Sequence, residues 1–365
     1  MAAVEFNLPL HPDPAYLALL ADNARQARVL HFGLDSGLAA DARVPLTRRE
    51  PDQWARALAV LSRAEPRPAA FLLLNARFHG PRAFAPESLA GLAGVLESLA
   101  REPCFAGIVY ADAYFLRALS DALPGSLHGR LQAVPSVNCG IDSVAAARSH
   151  LDLAARTRFA LPERMVLDRS LNRDLNRDGE RLARVAQGVR GLGLRVELLA
   201  NEGCLAACPF RPAHEAVVAA CHAGLDRDTF ALNRDLGCLD LFAAEPWRIL
   251  ASPFIRPEDA RHYEGLVDGL KVCGRNRGGA VFLTRAARAW LDGRWDGNLL
   301  EILDTTGEFE DRFFLANADL PEDFHARVTS CAKDCGSCAY CRDLAREHLR
   351  AGEPGPGRLD GEVRP

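Results

Sequence analysis

Lysine is nearly missing from this chain. Of its 44 basic residues only Lys271 and Lys333 are lysine, and the rest are arginine. Coding bias supplies arginine wherever either cation serves. The two positions that keep an ammonium therefore mark places where hydration, shape or pKa range separates the two side chains. The marks of export and membrane residence are absent too. The opening MAAVEFNLPLHPDP has no basic start and no long apolar core, so no secretory leader is expected. No stretch approaches about 18 uninterrupted apolar residues, so no membrane span is expected. A cytoplasmic location follows as the expectation. The net charge of -4 gives no extended nucleic-acid face, although a local groove stays open. No G-x-G-x-x-G or G-x-x-x-x-G-K-[ST] loop follows the early strands, which removes support for a nucleotide-binding sheet. No H-E-x-x-H pattern and no G-x-S-x-G elbow occurs, and no nucleophile–base pair is legible.

What is present is a long alternation of short apolar runs and amphipathic ones. The runs at 4–8, 28–34, 69–76, 105–112, 131–138, 164–170, 194–201, 248–254 and 269–274 read as strands. Between them, PDQWARALAVLSRA and PESLAGLAGVLESLARE carry apolar residues at helical spacing and open on Pro-Asp or Pro-Glu, as a first helical turn does. Repeated strand–helix units imply a parallel sheet. Their number over this length suits a TIM-barrel-like (β/α)8 fold, with a doubly wound open sheet as the alternative. The expected organisation is a barrel over 1–280, with a cluster-binding loop at 202–238. A helical and cysteine-rich extension over 281–345 and a disordered Gly/Pro-rich tail over 351–365 follow it.

Functional side chains of a parallel barrel gather where strands end. Asp168 and Arg169 close one strand, Glu202 and Cys204 follow the next, Arg256 follows ASPFI, and Lys271, Cys273 and Arg275 lie along the last. Residues two apart share a strand face, so Lys271 and Cys273 point the same way. The bland alternative is that these charges only pair with one another at strand ends.

Eleven cysteines in a reducing compartment point to metal or catalysis more than to disulfides. One group is Cys204, Cys208, Cys221 and Cys238; the other is Cys331, Cys335, Cys338 and Cys341. Four thiolates suit tetrahedral zinc or a [4Fe–4S] cluster, and spacing alone does not separate the two. Arg211 stands where a C-x3-C-x2-C radical motif would place its third thiol, which argues against that chemistry. Cys104 and Cys139 read as buried apolar residues. His214, one helical turn past Arg211, is the best placed histidine and by itself is more often structural.

The stretches NEGCLAACPFRPAHE, SPFIRPEDARHYEG, GLKVCGRNRG and CAKDCGSCAYC resemble the collagenase-like, or U32, peptidase family, from about Glu5 to Cys341. The resemblance implies a TIM-barrel-like fold. It also implies iron–sulfur proteins that support oxygen-independent hydroxylation of quinone precursors or of RNA bases, with prephenate implicated as oxygen source. In those members four cysteines hold the cluster, which carries over here to Cys204, Cys208, Cys221 and Cys238. Two departures matter: Cys204 and Cys208 are closer in sequence than the first two ligands of those members, and the simplest of them lack the terminal cysteines. Those terminal thiols imply a second [4Fe–4S] cluster or zinc.

The expected function is an iron–sulfur hydroxylase or related redox enzyme with a small anionic co-substrate. A non-catalytic partner of a related barrel subunit and a peptidase are the alternatives. Glu202, Lys271, His214 and Asp168 are the candidate catalytic residues. Arg169, Arg211, Arg256 and Arg275 are the candidate substrate-binding ones, because guanidinium forks grip carboxylates. Nucleic acid stays open as a partner.

Overall fold

The computed structural model describes residues 4–34, 40–42, 51–175, 180–225, 231–275, 277, 279–306 and 309–351. The expected disordered tail falls almost wholly outside them. Eight short strands, apolar on both faces because both faces are covered, form one parallel sheet. They are β1 (Glu5–Pro9), β2 (Val29–Gly33), β3 (Ala69–Leu74), β4 (Phe105–Tyr110), β5 (Gln132–Pro135), β6 (Arg164–Val166), β7 (Arg195–Leu199) and β8 (Gly269–Lys271). The pairing order β5-β4-β3-β2-β1-β8-β7-β6 places the first strand against the last. The result is a nearly closed (β/α)8 barrel, not an open doubly wound sheet. The remaining seam lies between β5 and β6, where Ala160 stitches onto β5 by a parallel bridge to Gln132.

Helices α1 (Pro14–Asp22), α2 (Pro51–Leu61), α3 (Pro86–Leu99), α4 (Ala113–Ala122), α5 (Val144–Ala154) and α6 (Arg181–Arg190) follow β1 to β6 in turn. Proline opens the first three, where its missing N–H costs nothing. Asp13, Asp112 and Ser143 cap α1, α4 and α5 through their side-chain oxygens. The crossover from β7 to β8 is longer, with α7 (Arg211–His222), α8 (Ala231–Asp235), α9 (Cys238–Ala244) and α10 (Arg248–Ala251). The run RILASPF is therefore a helical turn and not a strand. Ile249 and Leu250 are buried in both readings, and a short apolar run does not tell them apart.

The next helix, α11 (Gly279–Asp292), packs on β1 and α1 and buries Phe282, Leu283 and Trp290. It is the eighth helix of the barrel, so the barrel runs past the expected boundary at 280. The rest forms a small lobe with β9 (Phe313–Leu315), α12 (Phe324–Thr329), α13 (Tyr340–His348) and β10 (Leu349–Ala351), the two strands pairing antiparallel. Lys333 reaches Asp174 of the barrel at 2.8 Å, and the Arg342 guanidinium lies 4.5 Å from the Trp247 ring.

The outward faces of the strands join the helices in one large core that includes Leu30, Phe32, Leu72, Leu198 and Leu270. The inward faces make two smaller clusters. Val29, Phe71, Leu73, Val109 and Val134 form one, and Val137, Val166, Leu199 and Cys273 form the other. The same inward faces also carry polar residues, and they define the chemistry.

Candidate functional site at the barrel mouth

Three strand ends meet in a buried polar cluster. Asn138 comes after β5, Asp168 and Arg169 after β6, and Asn201, Glu202 and Cys204 after β7. Arg169 donates from Nη1 to Glu202 Oε1 at 2.6 Å and from Nη2 to Asn138 Oδ1 at 3.1 Å. The Cys204 thiol donates to the same Glu202 oxygen at 3.1 Å. The second oxygen, Oε2, is buried and has no hydrogen-bond partner among the described residues. Burial opposes the charge on Arg169, yet Glu202 foremost, with Cys204 and Asp168, holds its pKa above the ordinary value. A buried pair of this kind is costly to break, because the survivor is left charged and unpaired.

Asp168 accepts from the Ser170 amide at 2.8 Å and lies 3.5 Å from Arg211 Nη1 at the start of α7. Further along that helix, Glu215 faces the same group. Burial raises its carboxyl, and Arg77, Arg169 and Arg211 partly offset the rise. The backbone that presents Cys204 is fixed by Asn201. Its Oδ1 accepts from the Cys273 amide at 2.6 Å, and its Nδ2 donates to the carbonyls of Cys273 and Ile302. Ser252 then donates to the Gly203 carbonyl at 3.1 Å. A Cβ on Gly203 would stand 2.9 Å from Thr305 Oγ1, so the loop passes too close there for any larger residue.

Inside the barrel, alternation puts Lys271 below Cys273, Glu197 below Leu199, Arg164 below Val166 and His31 above Val29. Asn7 Nδ2 donates to Glu197 Oε2 at 2.7 Å, and Arg164 Nη1 donates to Glu197 Oε1 at 2.8 Å. His31 Nδ1 is 2.8 Å from Asn7 Oδ1. Lys271 is 4% exposed. Burial, and then the charge of Arg275, lowers its pKa against the pull of Cys273 and Glu197.

The expected residues thus divide. Glu202, Cys204, Arg169, Asp168 and Arg211 come together, and Lys271 shares the barrel's inner face with Cys273 as expected. Arg275 turns to the β2 side and pairs with Asp41 at 2.7 Å. Gly33 makes room, since a Cβ there would lie 2.2 Å from Asp41 Oδ2. Arg256 is not at the rim. It grips Asp259 with a two-point fork at 2.7 and 2.9 Å, and Phe324 lies under its guanidinium. His214 contacts Asn233 of α8 at 3.0 Å.

No three described His, Cys, Asp or Glu side chains are gathered closely enough to hold a metal ion. For Cys204, Cys208, Cys221 and Cys238 the reason is α7. Cys208 precedes the helix and Cys221 lies in its last turn, so roughly 15 Å of helix separates them at 1.5 Å per residue. Those four are not gathered at one point in this structure. The terminal four are not gathered more tightly in this sense, but they neighbour one another. The Lys333 amide donates to Cys331 Sγ at 3.2 Å. Burial pushes the Cys341 thiol up to about 11, with Cys331, Cys335 and Cys338 adding in the same direction. Cys104 is buried, and burial pushes Cys139 up to about 12, so both behave as the expected apolar thiols.

Sequence reading missed Asn138, Glu215 and Arg77 at the mouth, and Asn7, His31 and Glu197 inside. The last three had a signal: polar residues at alternate positions of otherwise apolar strands.

No protein-family model matches the chain. It is 32% identical over 235 residues, 58% of its length and 68% of the relative's, to an uncharacterized protease of Methanocaldococcus jannaschii. Among solved structures, a U32 peptidase matches with a TM-score of 0.47 and 14% identity, over 74% of this chain and 92% of that one. A β-mannanase from Streptomyces thermolilacinus matches with a TM-score of 0.35 and 14% identity, over 62% and 78%. On the extent and identity of the match to the Methanocaldococcus relative, the chain belongs to the U32 peptidase family.

Proposed function

We propose that this chain is an enzyme of the iron–sulfur, oxygen-independent hydroxylation type, with Cys204 as the working thiol at the barrel mouth and a carboxylate-bearing co-substrate. The observation that supports this reading is the terminal lobe. Four thiols crowd within eleven residues, none in a disulfide. The lobe is anchored to the strand-end loops by Lys333 on Asp174, and the charge of Arg173 acts on Cys341. Cys331, Cys335, Cys338 and Cys341 are the residues that would hold a cluster. A cluster supplies one-electron redox chemistry when bound.

The test is the iron, sulfide and zinc content of anaerobically purified protein. Iron and sulfide in equal amounts, lost on replacing Cys335 and Cys338 with serine, are the expected result. A colourless protein that holds zinc alone overturns the reading.

A second reading, peptide hydrolysis, is favoured by one observation. Cys204 donates to Glu202, a carboxylate oriented by Arg169, which is the nucleophile–base relation that thiol catalysis needs. Peptide cleavage that disappears in Cys204→Ala while the metal content stays unchanged selects it.

A further inference from the structure

We propose that Lys271 is an amine nucleophile that captures a small aldehyde or ketone as an imine inside the barrel, with His31 carrying the proton. This centre uses neither the Cys204 thiol nor a metal, so it stands or falls independently of the hydroxylase reading.

The first observation is the position of Lys271. It sits mid-barrel, in register with Asn7 of β1 on one side and Leu199 of β7 on the other, and is almost wholly buried. The nearby carboxylate that could hold it as an ammonium is already engaged. Glu197 receives Arg164 on one oxygen and Asn7 on the other. Burial foremost, with Arg275 adding and Cys273 and Glu197 opposing, lowers the pKa of Lys271 from the ordinary lysine value, and His31 acts on it as well. A desolvated lysine beside another cation is the state in which an amine is nucleophilic at neutral pH. Arginine cannot lose its proton there. That is a chemical reason for a lysine at this position in a chain that otherwise uses arginine.

The second observation is an imidazole held in one tautomer. Asn7 spends its amide N–H on Glu197, so its carbonyl oxygen is the acceptor facing His31. The proton of His31 therefore lies on Nδ1, an assignment from the hydrogen-bond network. Nε2 keeps its lone pair, and it is buried without a hydrogen-bond partner among the described residues. Burial foremost, with the charge of Arg275 adding, lowers the pKa of the ring well below the ordinary histidine value. Above Lys271 on the same face lies Cys273, which is partly exposed and packs against Val137, Val166 and Leu199.

The step balances without any oxidant or reductant. The amine nitrogen attacks the carbonyl carbon, and the C=O π bond opens onto oxygen. One N–H proton passes to Nε2 and on to that oxygen, giving a carbinolamine. The C–O bond then breaks as the oxygen takes the second nitrogen proton, water leaves, and a C=N bond to Lys271 remains.

The chain has its own control, because its only other lysine is the partly exposed Lys333. The whole protein is incubated at neutral pH with sodium cyanoborohydride and either pyruvate or propionaldehyde, then mapped by peptide mass. The expected result is a reduced adduct on the peptide containing Lys271, well in excess of the one containing Lys333, and its loss in Lys271→Arg. His31→Gln should slow Lys271 trapping by about a hundredfold while Lys333 labelling and the circular dichroism stay unchanged. Adducts only on Lys333, equal labelling of both lysines, or no adduct with either probe overturns the proposal. Unchanged trapping in a folded His31→Gln overturns the role of His31.

Discussion

Glu202 serves two donors through one oxygen, and that makes it the most informative single residue. Its Oε1 takes both the Arg169 guanidinium and the Cys204 thiol. Glu202→Gln keeps the shape and an acceptor but leaves Arg169 buried without its counter-charge. The expected loss is about 3 kcal/mol, read as a lower urea midpoint. Alkylation of Cys204 by iodoacetamide should change in rate in the same variant, because the thiol loses the carboxylate that accepts its hydrogen bond. An unchanged rate would show that Glu202 is not its base. At this scale the sequence was partly legible. Strand-end position identified Asp168, Arg169, Glu202 and Lys271, and period-two alternation put Lys271 and Cys273 on one face. It did not separate Arg211, which meets Asp168, from Arg256, which folds back on Asp259 three residues away. Both are arginines beside prolines, and only the path of the loop distinguishes them.

Among the elements, α4 shows how local signals carry through. Asp112 caps it by accepting from the amides of Tyr114 and Phe115 at 2.9 and 3.1 Å, and the same carboxylate receives the His79 amide at 2.9 Å. Asp112→Ala should cost about 0.5–2 kcal/mol as a lost cap, measured by thermal melting. Burial alone would raise this carboxyl, but His79 and the amides of Phe115 and His79 outweigh it and leave the pKa below the ordinary value. A folded-state pKa below the unfolded one gives stability that is present above the ordinary carboxylate range and is lost as pH falls through the folded value. The melting temperature of Asp112→Asn should therefore fall less than that of the native chain below about pH 4. Parallel curves would remove Asp112 from the acid response. The element that misled is α10. Its four residues bury the same apolar side chains a strand would, and nothing local records that the sheet already had its eighth strand twenty residues later.

For the whole molecule, the terminal lobe rests on the barrel through histidine stacking. The His325 ring lies 4.2 Å from that of His262, and burial pushes His325 down to about 4, with Asp259 opposing and His262, Arg173 and Arg256 adding to the fall. A histidine depressed on folding binds fewer protons than its unfolded form. The stability it preserves is full above the ordinary histidine value and drains as pH falls toward 4. Acidification over that window should loosen the lobe, read as protease cleavage near residue 320 and as altered fluorescence of Trp247 beneath Arg342. His325→Phe should flatten the response, and an equally steep one would place the switch elsewhere. Replacing Cys335 and Cys338 with serine should abolish metal binding by the lobe while the far-ultraviolet dichroism of the barrel is kept, because neither of these two thiols belongs to the buried core that the lobe shares with the barrel. Unfolding of the whole chain would show that the lobe is structural.

The alternation of elements, the strand ends and the paired proline–acid helix starts were settled by the sequence alone, because burial on both faces of a parallel sheet imposes near-continuous apolar runs and helices impose their period. Which thiols meet was settled only by tertiary structure. Spacing limits reach but carries no direction, and α7 holds Cys208 and Cys221 apart although thirteen positions separate them. The polar line from Glu197 through Asn7 to His31, with Lys271 beside it, likewise exists only because the barrel closes β8 against β1. Residues 7, 31, 197 and 271 each show locally only as a polar position on an apolar strand, and closure of the sheet is what brings them together.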